Sequence, residues 1–383
     1  MRRVMIVAGE ASGDMHAAGL VEAVHRLDPT IDFFGIGGPS MRRAGVDIMV
    51  ESAELAVVGL IEVLAHYRVI RAALKRMQAT LHQQKPDLLI LTDYPDFNLR
   101  LAKTAKQLGV PVLYYISPQV WAWRQGRVKV IRERVDMMAV VFQFEEEFYR
   151  RFDVPVQFVG HPLVDEVAIG KSAPQLRDQL GLDSTRPTIG LFPGSRRSEL
   201  KRLLPTILAA AEQLQEQRPD VQFVLPVAPT LTRADLEPYL HHKLRDLSIV
   251  DGRAREAAVA SDVVITVSGT VTLELALLGA PMVIINRVAW LSYWILKRLV
   301  KVEHIGLCNI VAGDRIAPEL VQDAVTPANI STQVLAILDD DDYRATLSRR
   351  LAAIRSLLGG SGGSRNAAQL VVEMLGADSH TST

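Results

Sequence analysis

Short apolar runs alternate along the chain with longer segments in which apolar residues recur every three or four positions. Val4–Ala8 and Leu88–Thr92 are examples of the runs, and Ala17, Leu20 and Val24 illustrate the helical spacing. The runs show little alternation of apolar and polar residues, so each predicted strand is expected to be buried on both faces. Buried strands joined by helices predict parallel sheets of the α/β class.

The runs divide into two series. The predicted strands are Val4–Ala8, Phe33–Ile36, Leu88–Thr92, Val112–Ile116, Met138–Phe142, Val156–Val159, Thr188–Phe192, Gln222–Leu225, Ser248–Val250, Val263–Thr266 and Met282–Ile285. A polar stretch near 160–186 separates the first six from the rest. We therefore predict two doubly wound, Rossmann-like domains, 1–165 and 166–356, facing each other across a cleft. In the remaining segment, 357–383, we expect a flexible break at 357–366, one helix at 366–375 and a disordered tail.

Length, charge and cysteine content exclude several classes of protein. A chain of 383 residues exceeds one ordinary hydrophobic core, as expected for two domains. Lysine plus arginine and aspartate plus glutamate each number 43, and this balance argues against a general nucleic-acid binder, which needs excess cations. Because Cys308 is the single cysteine, an internal disulfide cannot form and a reducing compartment is expected. No Cys/His cluster has the spacing of a zinc site.

Two segments look like membrane sequences at first sight. Val4–Ala8 follows two arginines but is too short for the apolar core of a signal peptide. Met282–Val300 is interrupted by residues such as Arg287 and Lys297, well short of a spanning length. We therefore expect that the chain does not cross a membrane.

Segment 57–77 is more apolar than one buried helix face requires, and its polar side is basic. It is either a helix buried on two sides or a helix that lies in the headgroup region of a membrane and attracts anionic lipid. The basic bias favours the second interpretation. The residues predicted to face the membrane are Val58, Leu60, Ile61, Leu64, Tyr67, Arg68, Arg71 and Leu74.

The strongest chemical signal is LFPGSRRSELKRLLP at 191–205. A strand ends at Phe192 and a helix is expected to begin near Ser198. The arginines then stand where the helix dipole is already positive, which is unfavourable unless an anion binds there. A phosphate site at Gly194, Ser195 and Arg196 is favoured over a turn that Ser198 merely caps.

A second strand-to-helix turn, SGTVTLE at 268–274, carries hydroxyl and acidic side chains. Ser268, Gly269 and Thr270 could hold phosphate oxygens, and Glu274 could accept two hydrogen bonds from ribose hydroxyls. Alternatively, Thr270 and Glu274 only stabilise the helix start. The segment alone leaves these readings about even, and its position near another phosphate loop favours ligand binding.

Acidic residues follow two strands of the first half. Asp93 and Asp96 come after Leu88–Thr92, where a carboxylate is a natural general base. A turn role for Asp93 and a helix N-cap role for Asp96 compete with this interpretation. In the first loop, VAGEASGDMHAAGL at 7–20, Glu10 and Asp14 stand without a lysine or arginine. Such a loop suits sugar hydroxyls better than phosphate, although an N-cap role for Asp14 competes.

Trp121 and Trp123, in YYISPQVWAWRQGR, are expected in the core by default. Because Arg124 and Arg127 follow at once, an apolar wall beside an anion contact is the alternative.

Taken together, these stretches resemble the lipid-A-disaccharide synthase family of inverting glycosyltransferases with the GT-B fold. The resemblance covers nearly the whole chain. Its motifs are VAGEASGD at 7–14, ELAVVGLIEVL at 54–64, DYPDFN at 93–98, SPQVWAWRQGRV at 117–128, FVGHPLVD at 158–165, PGSRRSEL at 193–200, SGTVTLELALLGAPMV at 268–283 and NIVAGDRIAPELVQDAVTP at 309–327.

The resemblance implies a defined reaction. UDP-2,3-diacylglucosamine would donate its sugar to 2,3-diacylglucosamine 1-phosphate, giving the β-1,6-linked lipid A disaccharide 1-phosphate and UDP by inverting displacement, with one base and no covalent intermediate. Residues 1–165 would form the acceptor and membrane-facing domain, and 166–356 the UDP-sugar domain. Asn309 joins the residues expected to bind the nucleotide sugar. Asp96 is the preferred base, with Asp93, Asp14 and Glu10 in reserve and Ser12 and Gly13 on the acceptor side.

The resemblance also implies partners and a location. No metal or other cofactor is expected, because Arg196 and the helix dipole can stabilise the departing UDP. The acylated glucosamine substrates would hold the protein peripherally at the cytoplasmic face of the inner membrane. The last helix is expected to pack on the first domain or on a partner subunit, which leaves a homodimer open. Two alternatives remain: another UDP-sugar enzyme of the same fold (a soluble glycosyltransferase or an epimerase), and a non-catalytic nucleotide-sugar or lipid-binding module.

Overall fold

The structure is a computed structural model that describes residues 2–55, 60–123, 125–167, 170–240, 244–288 and 303–377. The chain divides into two compact units. The first joins Met1–Asp165 to Leu358–Thr383, and the second is the continuous segment Glu166–Leu357. In sequence, the second unit is therefore inserted into the first.

A parallel sheet forms the centre of the first unit. Its described strands are β1 (Arg3–Ala8), β2 (Asp32–Gly37), β3 (Asp47–Glu51), β4 (Leu88–Thr92), β5 (Val112–Tyr115), β6 (Met137–Val140) and β7 (Val156–Phe158). They lie in the order β3-β2-β1-β4-β5-β6-β7, and each neighbouring pair is parallel. The chain order reverses between β1 and β4, so the loops after these two strands flank the switch point, the usual ligand position in a doubly wound sheet.

Helices connect the strands of the first unit. Within the described residues they are α1 (Ala11–Leu27), α2 (Pro39–Arg43), α3 (Ser52–Leu55), α4 (Leu60–Gln84), α5 (Pro95–Gln107), α6 (Val120–Trp123), α7 (Val128–Arg134), α8 (Gln143–Arg150) and α9 (Leu163–Glu166), with a 3₁₀ turn at Gln125–Arg127. Strand residues such as Met5 and Leu89 pack with helix residues such as Met77 and Leu101 in one hydrophobic core. This packing removes both faces of the sheet from water, as the unbroken apolar runs require.

The second unit has the same kind of sheet. Its described strands are β8 (Thr188–Phe192), β9 (Gln222–Val227), β10 (Leu247–Asp251), β11 (Val263–Val267), β12 (Met282–Asn286) and β13 (Glu319–Val321). They lie in the order β10-β9-β8-β11-β12-β13, again with parallel neighbours. The switch point lies between β8 and β11.

The described helices of the second unit run from α10 to α18. They are α10 (Ala173–Gln179), α11 (Arg197–Gln217), α12 (Arg233–Leu236), α13 (Ala254–Ala260), α14 (Val271–Leu277), α15 (Leu307–Ala312), α16 (Pro327–Leu338), α17 (Asp341–Ala352) and α18 (Ile354–Leu357), with 3₁₀ turns at Glu237–Tyr239 and Gln322–Ala324.

The last helix, α19 (Gly363–Ala377), lies against α1 of the first unit. A Cβ on Gly363 would stand 2.8 Å from the carbonyl oxygen of Gly160, so glycine is needed for this close approach. The Asn366 side-chain amide donates to the carbonyl of Val159 at 3.0 Å, which ties α19 to the end of β7. The last helix was expected on the first domain or on a partner subunit, and in this chain it packs on the first unit.

The prediction of two parallel-sheet, Rossmann-like domains is confirmed, and all the predicted strands occur with bounds that differ by at most two residues. Two edge strands, β3 and β13, were missed. Both are only partly buried and carry acidic residues, so neither shows an unbroken apolar run. The predicted break at 357–366 is too long, because α19 begins at Gly363. The predicted tail is also corrected, since Gly376 and Ala377 are helical.

Candidate active site

Two loops of the first unit contact each other at the switch point between β1 and β4, which pair from Val4 with Leu88 to Ala8 with Thr92. A Cβ on Gly9 would stand 2.8 Å from Cγ of the Tyr94 ring, and a Cβ on Gly13 would stand 2.8 Å from Oδ2 of Asp93. Only glycine permits these approaches. The VAGEASGD and DYPDFN motifs therefore form a single constellation, with the Asp93 carboxylate against the first turn of α1.

The backbone beneath this constellation is strained. Asp93 and Tyr94 have positive φ angles, 53° and 40°, and Ile116 at the end of the neighbouring strand β5 has φ 63°. Such left-handed conformations cost about 1–3 kcal/mol each and persist only where surrounding contacts hold them. Here the carbonyl oxygen of Asp93 accepts hydrogen bonds from the Asn98 side-chain amide, at 2.7 Å, and from the Tyr114 hydroxyl. Strain concentrated at one edge of the sheet is typical of a functional site.

The Asp93 carboxyl has an unusual electrostatic environment. Burial raises its pKa from 3.8 to about 7, with a further upward contribution from Glu10 and an opposing one from His16. A general base is most effective when its pKa lies near the working pH, because it must be both deprotonated and a good proton acceptor. Asp93 meets this requirement.

Asp96 stands in a different environment. Its side chain is 73% exposed and pairs with Arg127. Helix α5 begins at Pro95 with Tyr94 in the cap position, so the alternative reading of Asp96 as the N-cap is wrong. The side chain lies on the first turn, in solvent and beside a cation.

Asp14 is buried and serves a different helix from the one expected. Its carboxylate accepts hydrogen bonds from the backbone N–H groups of Gly38, Ser40 and Met41, at 2.6, 2.9 and 3.1 Å. These are the N–H groups at the start of α2, so Asp14 caps α2, whereas the cap position of α1 is occupied by Glu10. An N-cap role was the alternative to a sugar-facing role for Asp14, and the helix that it caps is α2. Glu10 is exposed, and Ser12 is partly buried on the first turn of α1.

A buried acid supports the next loop along the sheet edge. Glu145 is 1% exposed, and its Oε1 accepts a hydrogen bond from the indole N–H of Trp121 at 2.9 Å. Burial is the main cause that raises the pKa of Glu145 to about 8. Trp121 is itself buried, as expected of a core residue. The side chain of Trp123, and all of Arg124, lie outside the described residues.

In the second unit, the start of α11 carries the predicted phosphate loop. Gly194 has φ 106°, and α11 begins at Arg197 with Arg196 in the cap position, not Ser198 as in the alternative reading. The Glu199 carboxylate accepts hydrogen bonds from the backbone N–H groups of Ser195 and Arg196, at 2.9 and 3.2 Å. It also accepts one from the Arg196 guanidinium at 2.9 Å.

Glu199 supplies a negative charge that changes the expectation for this loop. The pattern of residues predicts that the cationic helix start needs an anion from outside the chain. In the structure the chain supplies one, and any phosphate bound by these N–H groups would compete with the Glu199 carboxylate.

The other predicted loop of the second unit follows β11. Because β8 and β11 are neighbours in the sheet, this loop and the Gly194 loop leave the same edge. The Ser268 hydroxyl donates to the carbonyl of Ile305 at 2.6 Å, and the Thr272 hydroxyl donates to that of Gly269 at 2.8 Å. Thr270 occupies the cap position of α14. The three residues Ser268–Thr270 thus form an ordered turn next to the arginine-bearing loop.

Glu274 lies on the first turn of α14, with its side chain 24% exposed. Its Oε2 is 3.5 Å from Nε of Arg255, a residue of α13. Arg255 was not predictable from the sequence, because ARE within a short helix has neither a motif nor a spacing to distinguish it.

Asn309 is completely buried, and its side-chain amide forms hydrogen bonds with other residues of the second unit. It donates to the carbonyl of Ala317 at 2.9 Å and to the Glu319 carboxylate at 2.8 Å, and it accepts from the backbone N–H of Ala317. These bonds join α15 to β13. The structure therefore places Asn309 beneath the surface as a support of the 303–319 segment.

Comparisons with known proteins decide the family. The family model described as lipid-A-disaccharide synthetase matches residues 4–371. A lipid-A-disaccharide synthase of Trichlorobacter lovleyi is 54% identical over 374 residues, covering 98% of each chain. That of Geobacter sulfurreducens is 53% identical and covers 98% of this chain and 97% of its own. The chain belongs to the lipid-A-disaccharide synthase family. As a member it is a hexosyltransferase of lipid A biosynthesis.

Solved structures agree on the fold at low identity. A UDP-GlcNAc 2-epimerase from Neisseria meningitidis has a TM-score of 0.67 at 13% identity and covers 98% of this chain and all of its own. The calicheamicin glycosyltransferase has a TM-score of 0.61 at 15% identity and covers 98% of each chain. Both likenesses support the GT-B type of architecture.

The segment predicted to face the membrane lies partly outside the described residues. Val58 is not described, and neither are the side chains of Leu60, Ile61, Leu64 and Tyr67. Arg68 and Arg71 are exposed on α4, as expected. Leu74 packs against the core of the first unit, so its assignment to a membrane-facing surface is corrected. Among the residues that the structure describes, no helix is long and apolar enough to span a bilayer.

Proposed function

We propose that this enzyme transfers the sugar of UDP-2,3-diacylglucosamine to the 6-hydroxyl of 2,3-diacylglucosamine 1-phosphate. The hydroxyl oxygen attacks the anomeric carbon on the face opposite UDP, the bond from that carbon to the diphosphate oxygen breaks, and the hydroxyl proton passes to a base. Family membership supports the substrates, and the Asp93 environment carries the mechanism.

We assign the base to Asp93 rather than to Asp96. Asp93 lies at the switch point, with its pKa raised to about 7 by burial. Asp96 is exposed and its carboxylate pairs with Arg127, so it lacks the buried position beside the VAGEASGD loop that Asp93 has. Glu10 acts on Asp93 through its charge, because its repulsion helps to raise the pKa of that carboxyl.

The second unit holds the nucleotide in this proposal. Arg196, the backbone of Gly194 and Ser195, and the Ser268–Thr270 turn would take the diphosphate, and Glu274 the ribose hydroxyls. As UDP leaves, negative charge grows on the diphosphate, and a fixed guanidinium stabilises it without reorganisation. We propose that the reaction needs no metal, and activity that survives exhaustive chelation would support this point.

We further propose that the enzyme works as a peripheral protein at the cytoplasmic face of the inner membrane. Both proposed substrates carry acyl chains and reside in a leaflet. Exposed cations along α4, among them Arg68, Arg71 and Arg76, would attract anionic lipid. Sedimentation with vesicles of phosphatidylglycerol, against vesicles of phosphatidylcholine, tests this binding, and equal binding to both would contradict it. Size-exclusion chromatography with light scattering distinguishes a monomer from the homodimer left open by the sequence.

The decisive test of the activity is a two-substrate assay with the full chain. Mixing the acylated UDP-sugar with the acylated sugar 1-phosphate should yield the disaccharide phosphate, detected by mass, and UDP in equal amount. UDP released only when the acceptor is present supports transfer. Conversion of the donor sugar without an acceptor would indicate the epimerase alternative, and binding without any product would indicate a sensor.

A further inference from the structure

Arg255 joins two acidic residues of the second unit. Its Nε lies 3.5 Å from Oε2 of Glu274, and its Nη2 lies 3.8 Å from Oε2 of Glu166. Its Nη1 donates a hydrogen bond to the carbonyl oxygen of Glu166 at 2.7 Å. All three side chains are partly buried, with 24–31% of their surface exposed. The guanidinium is therefore held to the backbone through Nη1, and its Nε faces the Glu274 carboxylate.

This anchoring matters because of where Glu274 stands. The residue lies on the first turn of α14, directly after the Ser268–Thr270 turn, and its side chain has three rotatable bonds. A flexible glutamate that binds two hydroxyl groups must lose rotamer freedom, and this loss of entropy weakens binding. A neighbouring side chain that already holds the carboxylate in place removes part of this cost, and a planar guanidinium with a fixed fork does so better than a flexible ammonium.

We propose that Arg255 is a positioning residue that orients the Glu274 carboxylate for the ribose 2′ and 3′ hydroxyls of the nucleotide. The proposal rests on the assignment of Glu274 to the ribose in the function above. Arg255 does not touch the nucleotide. It acts through Glu274 and gives the site its preference for a nucleotide that carries both hydroxyls.

The competing explanation is that Arg255 only supports the backbone at Glu166. The structure argues that this support is shared, since the Arg355 guanidinium donates to the adjacent carbonyl of Val167 at 3.2 Å. A purely structural arginine would change the stability of the unit and leave the preference for the ribose hydroxyls unchanged. The two roles therefore predict different results from one measurement.

The measurement is calorimetric binding of UDP and of 2′,3′-dideoxyuridine diphosphate to the full chain. The affinity for UDP divided by the affinity for the dideoxy analogue reports on the contacts to the ribose hydroxyls. We expect Arg255→Gln to lower this ratio about tenfold, since hydrogen bonds to a charged group are worth about that factor. Arg255→Lys retains the charge without the fork, and we expect a fall of about threefold.

Arg253→Gln is the matched control. Arg253 precedes the same helix, its Nε is 3.5 Å from the Glu256 carboxylate and its Nη1 donates to the carbonyl of Gln179; the contacts described for this side chain do not include Glu274. We expect the ratio to stay at the wild-type value in this variant. Thermal unfolding of all variants, measured in parallel, separates loss of stability from loss of preference.

Glu274→Gln separates failure of the inference from failure of the proposed function. If the affinity ratio falls in Glu274→Gln while both Arg255 variants keep the wild-type ratio, the positioning role is overturned and the ribose assignment stands. If Glu274→Gln keeps the wild-type ratio, the ribose assignment and the inference fail together, whereas the two-substrate assay still decides the activity. If Arg255→Gln does not fold, the threefold fall in Arg255→Lys decides, and an unchanged ratio there overturns the proposal.

Discussion

The loops that follow β1 and β8 occupy the same place in two similar sheets, and they differ in charge. Each leaves a central strand through glycine and enters a long helix, α1 or α11. The first brings Glu10 close to Asp93 of the loop after β4, and the second places Arg196 beside Arg197. The position in the fold therefore provides the ligand-facing edge, and the side chains decide which chemistry takes place there.

The two loops also use a carboxylate in different ways. Asp14 reaches over to the N–H groups of α2, so it fixes one helix of the first unit to another. Glu199 turns back on the N–H groups of its own loop, where it occupies the position suited to a phosphate. The carboxylate of the first loop thus stabilises a neighbouring helix, whereas that of the second occupies N–H groups for which a phosphate could compete.

The largest expected effect tests the acidic side of this comparison. Asp93→Asn removes the base and keeps the size of the side chain, so we expect turnover to fall by about 10²–10⁴, with UDP affinity unchanged. Steady-state kinetics with the two acylated substrates measure the loss. Asp96→Asn is the control, and we expect it to retain activity within about threefold, the effect of losing an exposed ion pair.

The same residue should set the pH dependence. Because the pKa of Asp93 is about 7, kcat/KM should fall as the pH drops below that value. Stability has the opposite trend: the folded-state pKa exceeds the ordinary value of 3.8, so the wild type loses stability relative to Asp93→Asn as the pH rises from 4 to 7. Denaturation curves at pH 5 and 8 check the sign. A kcat/KM that does not change between pH 5 and 8 would exclude Asp93 as the base.

The next effect tests the basic side. Arg196→Ala removes a cation from the proposed diphosphate site, and we expect UDP affinity to fall by about 10- to 100-fold. Arg197→Ala is the matched control, because that side chain is 80% exposed and pairs with Asp235. Calorimetry with UDP distinguishes them. Equal losses in both variants would mean that general positive charge, rather than one placed guanidinium, attracts the nucleotide.

A smaller effect tests the close approach of the two loops in the first unit. A methyl group at position 13 would stand 2.8 Å from Oδ2 of Asp93, so we expect Gly13→Ala to lower kcat about tenfold by displacing that carboxylate. Gly19→Ala lies in the same helix, where the new methyl group meets Ser364 Oγ at an ordinary 3.5 Å. This control should stabilise the protein by about 0.5–1 kcal/mol and keep full activity. The contact between the loops would be irrelevant to catalysis if both variants turned over alike.

The smallest effect compares the two capping carboxylates directly. Asp14→Asn and Glu199→Gln should each lower the free energy of unfolding by about 1 kcal/mol, because a charged cap becomes neutral. Only Glu199→Gln should also change UDP affinity, raising it about two- to threefold, since a competing negative charge is removed. Denaturant titration and calorimetry measure the two quantities. Tighter UDP binding in Asp14→Asn as well would show that the loops are less distinct than their contacts suggest.

The central strands were predictable from the sequence, and several contacts at their ends were not. Runs such as Thr188–Phe192 are apolar because both faces are covered, and burial of this kind leaves a direct mark on composition. The edge strands β3 and β13 are covered on fewer sides, so polar residues enter them and hide the pattern.

At the sites, residue types were predictable and orientations were not. Both Asp93 and Asp96 follow a buried strand, yet two successive left-handed residues turn Asp93 inward and leave Asp96 in solvent. Positive φ at a non-glycine residue has no reliable sequence signature, so spacing alone could not show that Asp93 is less exposed than Asp96. Arg255 and Glu199 were missed as partners for a similar reason, because their contacts depend on where neighbouring helices begin.

The insertion of the second unit into the first has a consequence for synthesis. Residues 166–357 are contiguous, so every residue of the second unit has left the ribosome before the first unit receives α19. Until then α1 lacks the cover that α19 provides. The unit that begins to be translated first is therefore the unit whose folding is completed last, because α1 and the acidic loop before it wait for α19.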